Sequence, residues 1–464
     1  MNGPGISPQE ELRSIYRQGE DVCVAFMESL ALKVEELAID MATMRRKLDQ
    51  NSSNSSLPPS RDPLSKGQHH REPTGRKSGG QKGHDGRSRE LLPVEEADEV
   101  RHVFPEQCSG CGSGIWDERQ VIGQVGRHQQ IEIEIKVRLI EFQTHSLRCR
   151  VCGDVTRGEL DAVQAQVFGP RLQAEIATLT VDGHMTRSKL KRHLGESWGL
   201  RLSSGAITGI TKRVGEACEP ICDGLQEALA GEPAIFADET SWRLAGKRCY
   251  AWGVFTKDKA LVSLGRRRSM EVAQDLIPCS YDGICHTDRY GSYNFLPAPN
   301  RQLCWEHLKR DFQSFAERDG PESVFGEAGL ALAKEVFIAD REGVHHPRLK
   351  SKLQDRGRQL IALGLHHDDT QALATSLQKH FGSLWHFLDH PEVEATNNHA
   401  ERMLRGIVIR RKLSFGSGSE SGAKALSCLT SVASTCRLQD KAPVMFFQDA
   451  LEAHLQGQPA PALV

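Results

Sequence analysis

The chain has 464 residues, enough for about three domains at roughly 150 residues each. Its 59 Lys+Arg against 61 Asp+Glu leave a net charge of −2, which excludes a uniformly basic nucleic-acid binder and an acidic solvating tail. No run approaches the ~18 apolar residues of a membrane span, Met1–Glu20 is polar with no export signal core, and 13 cysteines, an odd count, argue for free thiols and a metal site in a reducing cytoplasm rather than a disulfide framework.

Residues 1–50 read as one long helix. Cys23, Met27, Leu30, Val34, Leu37, Met41, Met44 and Leu48 recur at alternating four- and three-residue steps. That is the a/d seam of a coiled coil pairing two protomers, with an amphipathic helix packed on its own domain as the alternative. Residues 51–99 read as a flexible linker and basic arm. The Asn/Ser/Pro run Asn51–Ser60 does not pack. Arg61–Arg89 sets eight bases, among them Arg76, Lys77 and Lys82, against three acids in a Gly-rich stretch suited to lying along phosphates. Gly75–Gly80 has phosphate-loop spacing, but Gln81 stands where lysine is needed and no strand precedes it, so an ATPase is rejected.

Residues 100–168 read as a small zinc-ribbon-like β module. Gln129–Leu139 alternates with a period near two, the pattern of a half-buried strand. It lies between two knuckles, Cys108-Ser-Gly-Cys111-Gly112 and Cys149-Arg-Val-Cys152-Gly153. Each knuckle is a tight turn offering two thiolates, and Gly permits the positive φ the turn requires. Four thiolates make a closed, structural Zn2+ site. Redox thiols are the weaker alternative, because neither pair lies on a thioredoxin-like βαβ pattern.

Residues 169–230 read as helical. A basic helix runs to about Trp198, Gly199 breaks it, and Ser203 caps another helix through Val214. Lys189, Lys191 and Arg192 on the first of these would meet DNA in a helix-turn-helix-like arrangement; a plain helical hairpin fits equally. Residues 231–440 turn to α/β character, with a mainly helical stretch at about 306–388, and 441–464 form a C-terminal helix and tail. The whole is a multidomain α+β chain.

Asp238 follows the apolar strand Ala234–Ala237, Asp288 follows Gly283–Thr287, and Glu401 stands early in a basic helix. Two strand-end aspartates and a helix glutamate can hold two Mg2+ or Mn2+ ions, one activating an attacking oxygen and the other stabilising the leaving oxygen. Any one of these acids alone reads equally as a turn cap. Arg402, Arg405, Arg410, Arg411 and Lys412 follow within eleven residues of Glu401, a single-sign cluster that suits a polyanionic substrate.

With these residues assembled, the sequence resembles the insertion sequence 66 type transposases. The likeness covers most of the chain, in order: the N-terminal helix, "NSSNSSLPPSRD", "GRKSGGQKGHDG", the paired knuckles, "FGPRLQAEIATL", "ADETSWRL", "HTDRYGSYN", "CWEHLKRDF" and "NNHAERMLRGIVIRRKLSFGSGSESGAKALSCLTSVASTC". It implies an RNase H-like core with a helical insertion and an Asp-Asp-Glu triad, carried onto Asp238, Asp288 and Glu401. Glu239 is excluded from the triad because neighbouring strand side chains point to opposite faces. His307 in "CWEHLKR" matches a family motif, near the site or simply structural. Gly406 stands where proline is expected, which would loosen a turn after the catalytic helix. The implied activity is cleavage of element ends and joining of the 3′-OH to target DNA. Terminal inverted repeats, target DNA, a second protomer and accessory proteins of the same element are the implied partners. The alternative is a non-catalytic, zinc-containing DNA-binding regulator derived from a transposase.

Overall fold

The computed structural model describes residues 8–49, 90–114, 126–343 and 347–463. The arm residues Arg76, Lys77 and Lys82 lie outside them. The chain forms two compact units, one of Ser65–Ile140 and one of Met1–Leu64 with Glu141–Val464.

In the smaller unit, Leu92 is tied to Gln129 by two hydrogen bonds of 2.9 Å and accepts another from Arg127 at 2.8 Å. The expected strand at Gln129–Leu139 forms no ladder among the described residues, and Ile131, Ile133, Ile135, Val137 and Leu139 are all exposed. Alternation chooses a face, but a strand also needs a hydrogen-bonded neighbour and a surface to bury that face against.

In the larger unit, the N-terminal segment is two helices rather than one, α1 (Pro8–Tyr16) and α2 (Glu20–Asp49). Gly19 separates them at φ +107°, a conformation open to glycine and strained for other residues. Along α2 the seam residues from Met27 to Leu48 are 49–78% exposed, so the apolar stripe has no cover among the described residues. A short ribbon follows, β1 (Ser146–Arg148) antiparallel to β2 (Val155–Arg157).

Four helices come next: α3 (Pro170–Val181), α4 (Arg187–Trp198), α5 (Ser204–Ala217) and α6 (Glu219–Ala230). Gly199 ends α4 in the left-handed conformation, and the Ser203 hydroxyl accepts from Ala206 N to cap α5, as the sequence predicts. Leu190 and Leu194 turn inward while Lys189, Lys191 and Arg192 are exposed.

The sheet contains β3 (Ala234–Leu244), β4 (Lys247–Phe255), β5 (Ala260–Arg266), β6 (Ile284–Thr287) and β7 (Arg301–Leu303), in the order β5-β4-β3-β6-β7. The β3–β4–β5 meander is antiparallel, whereas β6 and β7 run parallel to β3. Helix α7 (Met270–Leu276) connects β5 towards β6 and packs on one face. The other face carries α12 (Asn398–Ser414) and α13 (Glu420–Leu438), with α14 (Pro443–Leu455) behind. Leu190, Ile207, Phe236, Phe255, Leu404, Leu429 and Phe447 belong to one core, so the residues on either side of positions 230 and 440 are packed together.

The outer edge of β5 is closed by α13. Ala260, Val262 and Leu264 donate their backbone N–H to Thr435, Ser431 and Ser427 at 3.0, 2.8 and 3.0 Å. Hydroxyls one helical turn apart thus match alternate strand residues, and the edge has no free donors there. Between β7 and α12 stand α8 (Trp305–Ala316), α9 (Glu322–Glu342), α10 (Pro347–Leu365) and α11 (Asp368–Lys379), around their own core of Trp305, Phe312, Phe325 and Trp385. No described helix is long and apolar enough to cross a membrane.

Candidate catalytic site

Strand β3 sorts its acids by alternation. Phe236 packs on the α12–α13 face, and Ile235 and Ala237 on the α7 face; Asp238 therefore shares the α12 face and Glu239 the opposite one. Asp238 pairs across the ladder with Gly253, where an added Cβ would come within 3.1 Å of Leu404 on α12. Glu239 is 1% exposed at its side chain. It accepts from Tyr293 Oη at 2.8 Å and from Arg268 Nε and Nη2 at 2.8 and 2.6 Å. Those bonds occupy Glu239 and leave Asp238 as the acid facing the helix.

Asp288 lies just past β6, where β3 continues paired with β4 but without a partner on its other side, and its Oδ1 accepts from Tyr290 N at 2.8 Å. Burial, reinforced by the Glu239 and Asp288 carboxylates, pushes the Asp238 pKa up to about 8, against a lowering by His307. Burial and Asp288 also raise Glu239. Three carboxyl groups are thus crowded into a poorly solvated space.

Glu401 occupies the first turn of α12. It accepts from Arg310 Nη2 at 3.0 Å and lies 3.6 Å from His307 Nε2. His307 is the link between the two halves, since it also acts on Asp238. Burial opposes its charge, but the Cys304 sulfur and the Asp288 carboxylate outweigh this and raise its pKa to about 9. Its Nδ1 has no hydrogen-bond partner among the described residues.

The helix is anchored by Asn397, which is fully buried. Its Nδ2 donates to Ala237 O at 2.8 Å and its backbone N–H to Cys304 Sγ at 3.1 Å. One residue thus ties the start of α12 to β3 next to Asp238, which lies inside the strand rather than at its end because β3 continues to Leu244, and to the start of α8 bearing His307. Two neighbouring histidines are structural. His286 accepts from Glu394 N at 3.0 Å and donates from Nδ1 to Ile235 O at 2.8 Å, and burial drives its pKa down to about 4. His399 bonds Thr256 O at 2.7 Å. Arg310, Asn397 and the Arg268 clamp were not singled out from sequence, although Asn397 opens the "NNHAER" motif.

The basic residues of α12 divide. Arg402, Arg405 and Lys412 are exposed, and Arg405 and Lys412 lie on the same side of the helix as Glu401. Arg410 is instead engaged with Thr180 O, and burial followed by Arg187 lowers its pKa to about 10. Arg411 bonds Thr240 Oγ1 at 3.1 Å and Ser241 O at 2.5 Å. Gly406 is inside α12, which runs on to Ser414, so no turn follows it. A Cβ there would approach His184 Cε1 to 3.2 Å.

Each cysteine knuckle is formed within its own unit. Gly112 and Gly153 have φ of +73° and +82°. Cys108 N donates to Ser113 O at 2.8 Å and Cys149 N to Asp154 O at 2.7 Å. Backbone N–H groups aimed at the sulfur, from Gly110 and Cys111 in one and Cys152 and Val151 in the other, lower the pKa of Cys108 and Cys149. Cys111 and Cys152 complete the two pairs. Elsewhere, Glu322, His367 and Asp369 bring three ligand atoms within 4.8 Å of one another in the helical insertion.

With this geometry established, comparison with known proteins gives the class. Residues 165–425 match the Transposase IS66 family, and residues 8–90 match a family of unknown function (DUF6444). The first match covers more than half of the chain, which therefore belongs to the Transposase IS66 family. Among its relatives, uncharacterized protein y4jD of Sinorhizobium fredii (strain NBRC 101917 / NGR234) is 24% identical over 353 residues, 67% of this chain and 68% of its own. Uncharacterized protein y4hP of the same strain is 22% identical over 395 residues, covering 75% and 70%.

Proposed function

We propose that the chain is a DNA transposase whose reaction is carried by Asp238, Asp288 and Glu401. The observation that carries this reading is the crowding of Asp238 and Asp288, with Glu401 linked to them through His307. Buried carboxylates that repel one another suit divalent cations, and an all-oxygen donor set suits Mg2+ or Mn2+. The sheet order, with an antiparallel meander followed by two parallel strands, supports an RNase H-like core interrupted by α8–α11.

A divalent pair, when bound, supplies activation of the attacking oxygen and neutralisation of the leaving oxygen. The chain's own residues fix the geometry. Asn397 sets the start of α12, and the Arg310 and His307 contacts hold Glu401 until cations replace them. Arg402, Arg405 and Lys412 draw the phosphate backbone along the exposed side of α12. Water breaks the phosphodiester at an element end and leaves a 3′-OH. That hydroxyl then attacks a target phosphodiester, forming one ester as another breaks, with no ATP and no covalent enzyme intermediate.

The outer modules serve end recognition. The exposed face of α4 with Lys189, Lys191 and Arg192 contacts DNA, as do Arg76, Lys77 and Lys82 of the arm. Cys108, Cys111, Cys149 and Cys152 share one structural Zn2+. The exposed α2 seam pairs two protomers, as joining two ends requires. The test is strand transfer: purified protein, Mg2+, DNA carrying the repeats that flank the coding region, and a supercoiled target. Joined products support a transposase. Cleaved ends without joined products reduce the reading to a nuclease, and binding without cleavage leaves a DNA-binding regulator.

A further inference from the structure

The β3–β4 ribbon presents a second feature beside the site, on the face opposite Asp238. Arg243 and Arg248 are directly opposite each other across the ladder, and both are exposed. Like charges in that position oppose strand pairing unless an anion lies over them. Arg248 has no acidic partner among the described residues. Its guanidinium lies over the Tyr250 ring at 5.7 Å from the centroid. Arg268 lies over the same ring at 5.4 Å and over Tyr290 at 3.6 Å.

The result is an alternating ladder, Arg248–Tyr250–Arg268–Tyr290, with half-buried rings. It is held in place before any ligand arrives. Glu239 fixes Arg268 through two short bonds, and Tyr290 Oη donates to Arg268 O at 3.3 Å. Its inner end reaches the reaction centre, since Tyr290 N donates to Asp288 Oδ1 at 2.8 Å. An ion pair between Arg268 and Glu239 explains that pair alone. It does not explain two arginines facing each other at the outer end, or tyrosines interleaved with cations.

We propose that this ladder is a binding surface for single-stranded DNA, holding unpaired nucleotides that adjoin the phosphate handled at Asp288. Guanidinium groups attract the backbone and planar rings stack on bases. The combination favours single strands over duplexes, whose bases are already stacked and hidden. The assignment rests on the reading of Asp288 as part of a transposase centre.

The test measures fluorescence anisotropy with a labelled oligo-thymidine and a blunt duplex of equal length, in Ca2+ to prevent cleavage. The full chain is compared with Arg248→Ala, Tyr250→Ala and Tyr250→Phe. The expected result is a roughly 5- to 100-fold loss of oligo-thymidine affinity for Tyr250→Ala. Tyr250→Phe retains binding, and duplex affinity changes less than twofold in either variant. Arg248→Ala, at an exposed position outside the core, reports on the ladder even if Tyr250→Ala fails to fold. Wild-type oligo-thymidine binding by a folded Arg248→Ala and Tyr250→Ala overturns the proposal. So does an equal loss for oligo-thymidine and duplex, which marks charge alone. Cleavage that requires Asp238 but survives loss of the ladder rejects this surface and leaves the transposase reading intact.

Discussion

Replacing Asp238 by Asn separates a metal-holding carboxylate from a merely structural one. The folded-state pKa of Asp238 is pushed up to about 8 by burial and then by Glu239 and Asp288, whereas an unfolded Asp titrates near ~3.9. As pH rises, the unfolded chain therefore releases this proton first. The stability contributed by Asp238 is full below about pH 4 and is lost progressively as pH rises towards 8. By pH 7 about three units of that window have been crossed, an upper limit of ~4 kcal/mol at ~1.4 kcal/mol per unit. Coupling to its neighbours and partial solvent access reduce this to ~1–3 kcal/mol, or a shift of roughly 1–3 °C in the thermal midpoint of a chain this long. Without divalent metal, Asp238→Asn is expected to melt above wild type at pH 7–8 and level with it near pH 4. Millimolar Mg2+ then raises the wild-type midpoint and leaves the variant unchanged. Thermal melts at both pH values, with and without Mg2+, provide the check. An Asn variant destabilised equally at both pH values, or a wild type indifferent to Mg2+, refutes the reasoning.

Three further outcomes are expected. Elemental analysis of the purified chain finds about one Zn2+ per protomer, and Cys108→Ser or Cys149→Ser abolishes it; metal-free wild type contradicts the shared site. Light scattering finds wild type as a dimer or larger, and Leu30→Asp with Leu37→Asp shifts it towards monomer by placing charges in the exposed seam; unchanged mass assigns α2 another role. Replacing Arg402, Arg405 and Lys412 together by Ala flattens the dependence of log K on log salt by up to ~2.7 for three lost phosphate contacts. An unchanged slope places the DNA elsewhere.

The sequence is most legible where the signal is local. Gly199 and Ser203 mark a helix end and a cap because both act through their own backbone neighbourhood. Ile284–Thr287 is a strand within the stretch Gly283–Thr287 that precedes Asp288. The position of Asp288 just past a strand is likewise visible, and alternation assigns Glu239 to the other face, whereas Asp238 lies inside β3, because the strand runs on through polar residues to Leu244 as a ladder with β4. What required three dimensions was the partnership of groups far apart in the chain. Nothing local shows that Arg410 and Arg411 are turned to Thr180 and Thr240, that Arg310 reaches Glu401, or that Asn397 anchors α12. The Gln129–Leu139 alternation shows the converse, a strong local pattern without a ladder. Gly19 breaks the first helix ahead of the heptad register, which begins at Cys23 and lies wholly within α2. The average charge concealed the arrangement too, because near-neutrality arises from acidic and basic segments in succession.

The central claim, that Asp238, Asp288 and Glu401 together perform phosphodiester chemistry, is tested most directly by nicking of DNA that carries the flanking repeats. Wild type, Asp238→Ala, Asp288→Ala and Glu401→Ala, each confirmed as folded, are compared with Mg2+, with Mn2+ and with chelator. The expected result is a divalent-dependent nick with a 3′-OH for wild type and none for any single variant. Nicking by the Asp238→Ala protein at the wild-type rate, or by wild type in chelator, contradicts the account.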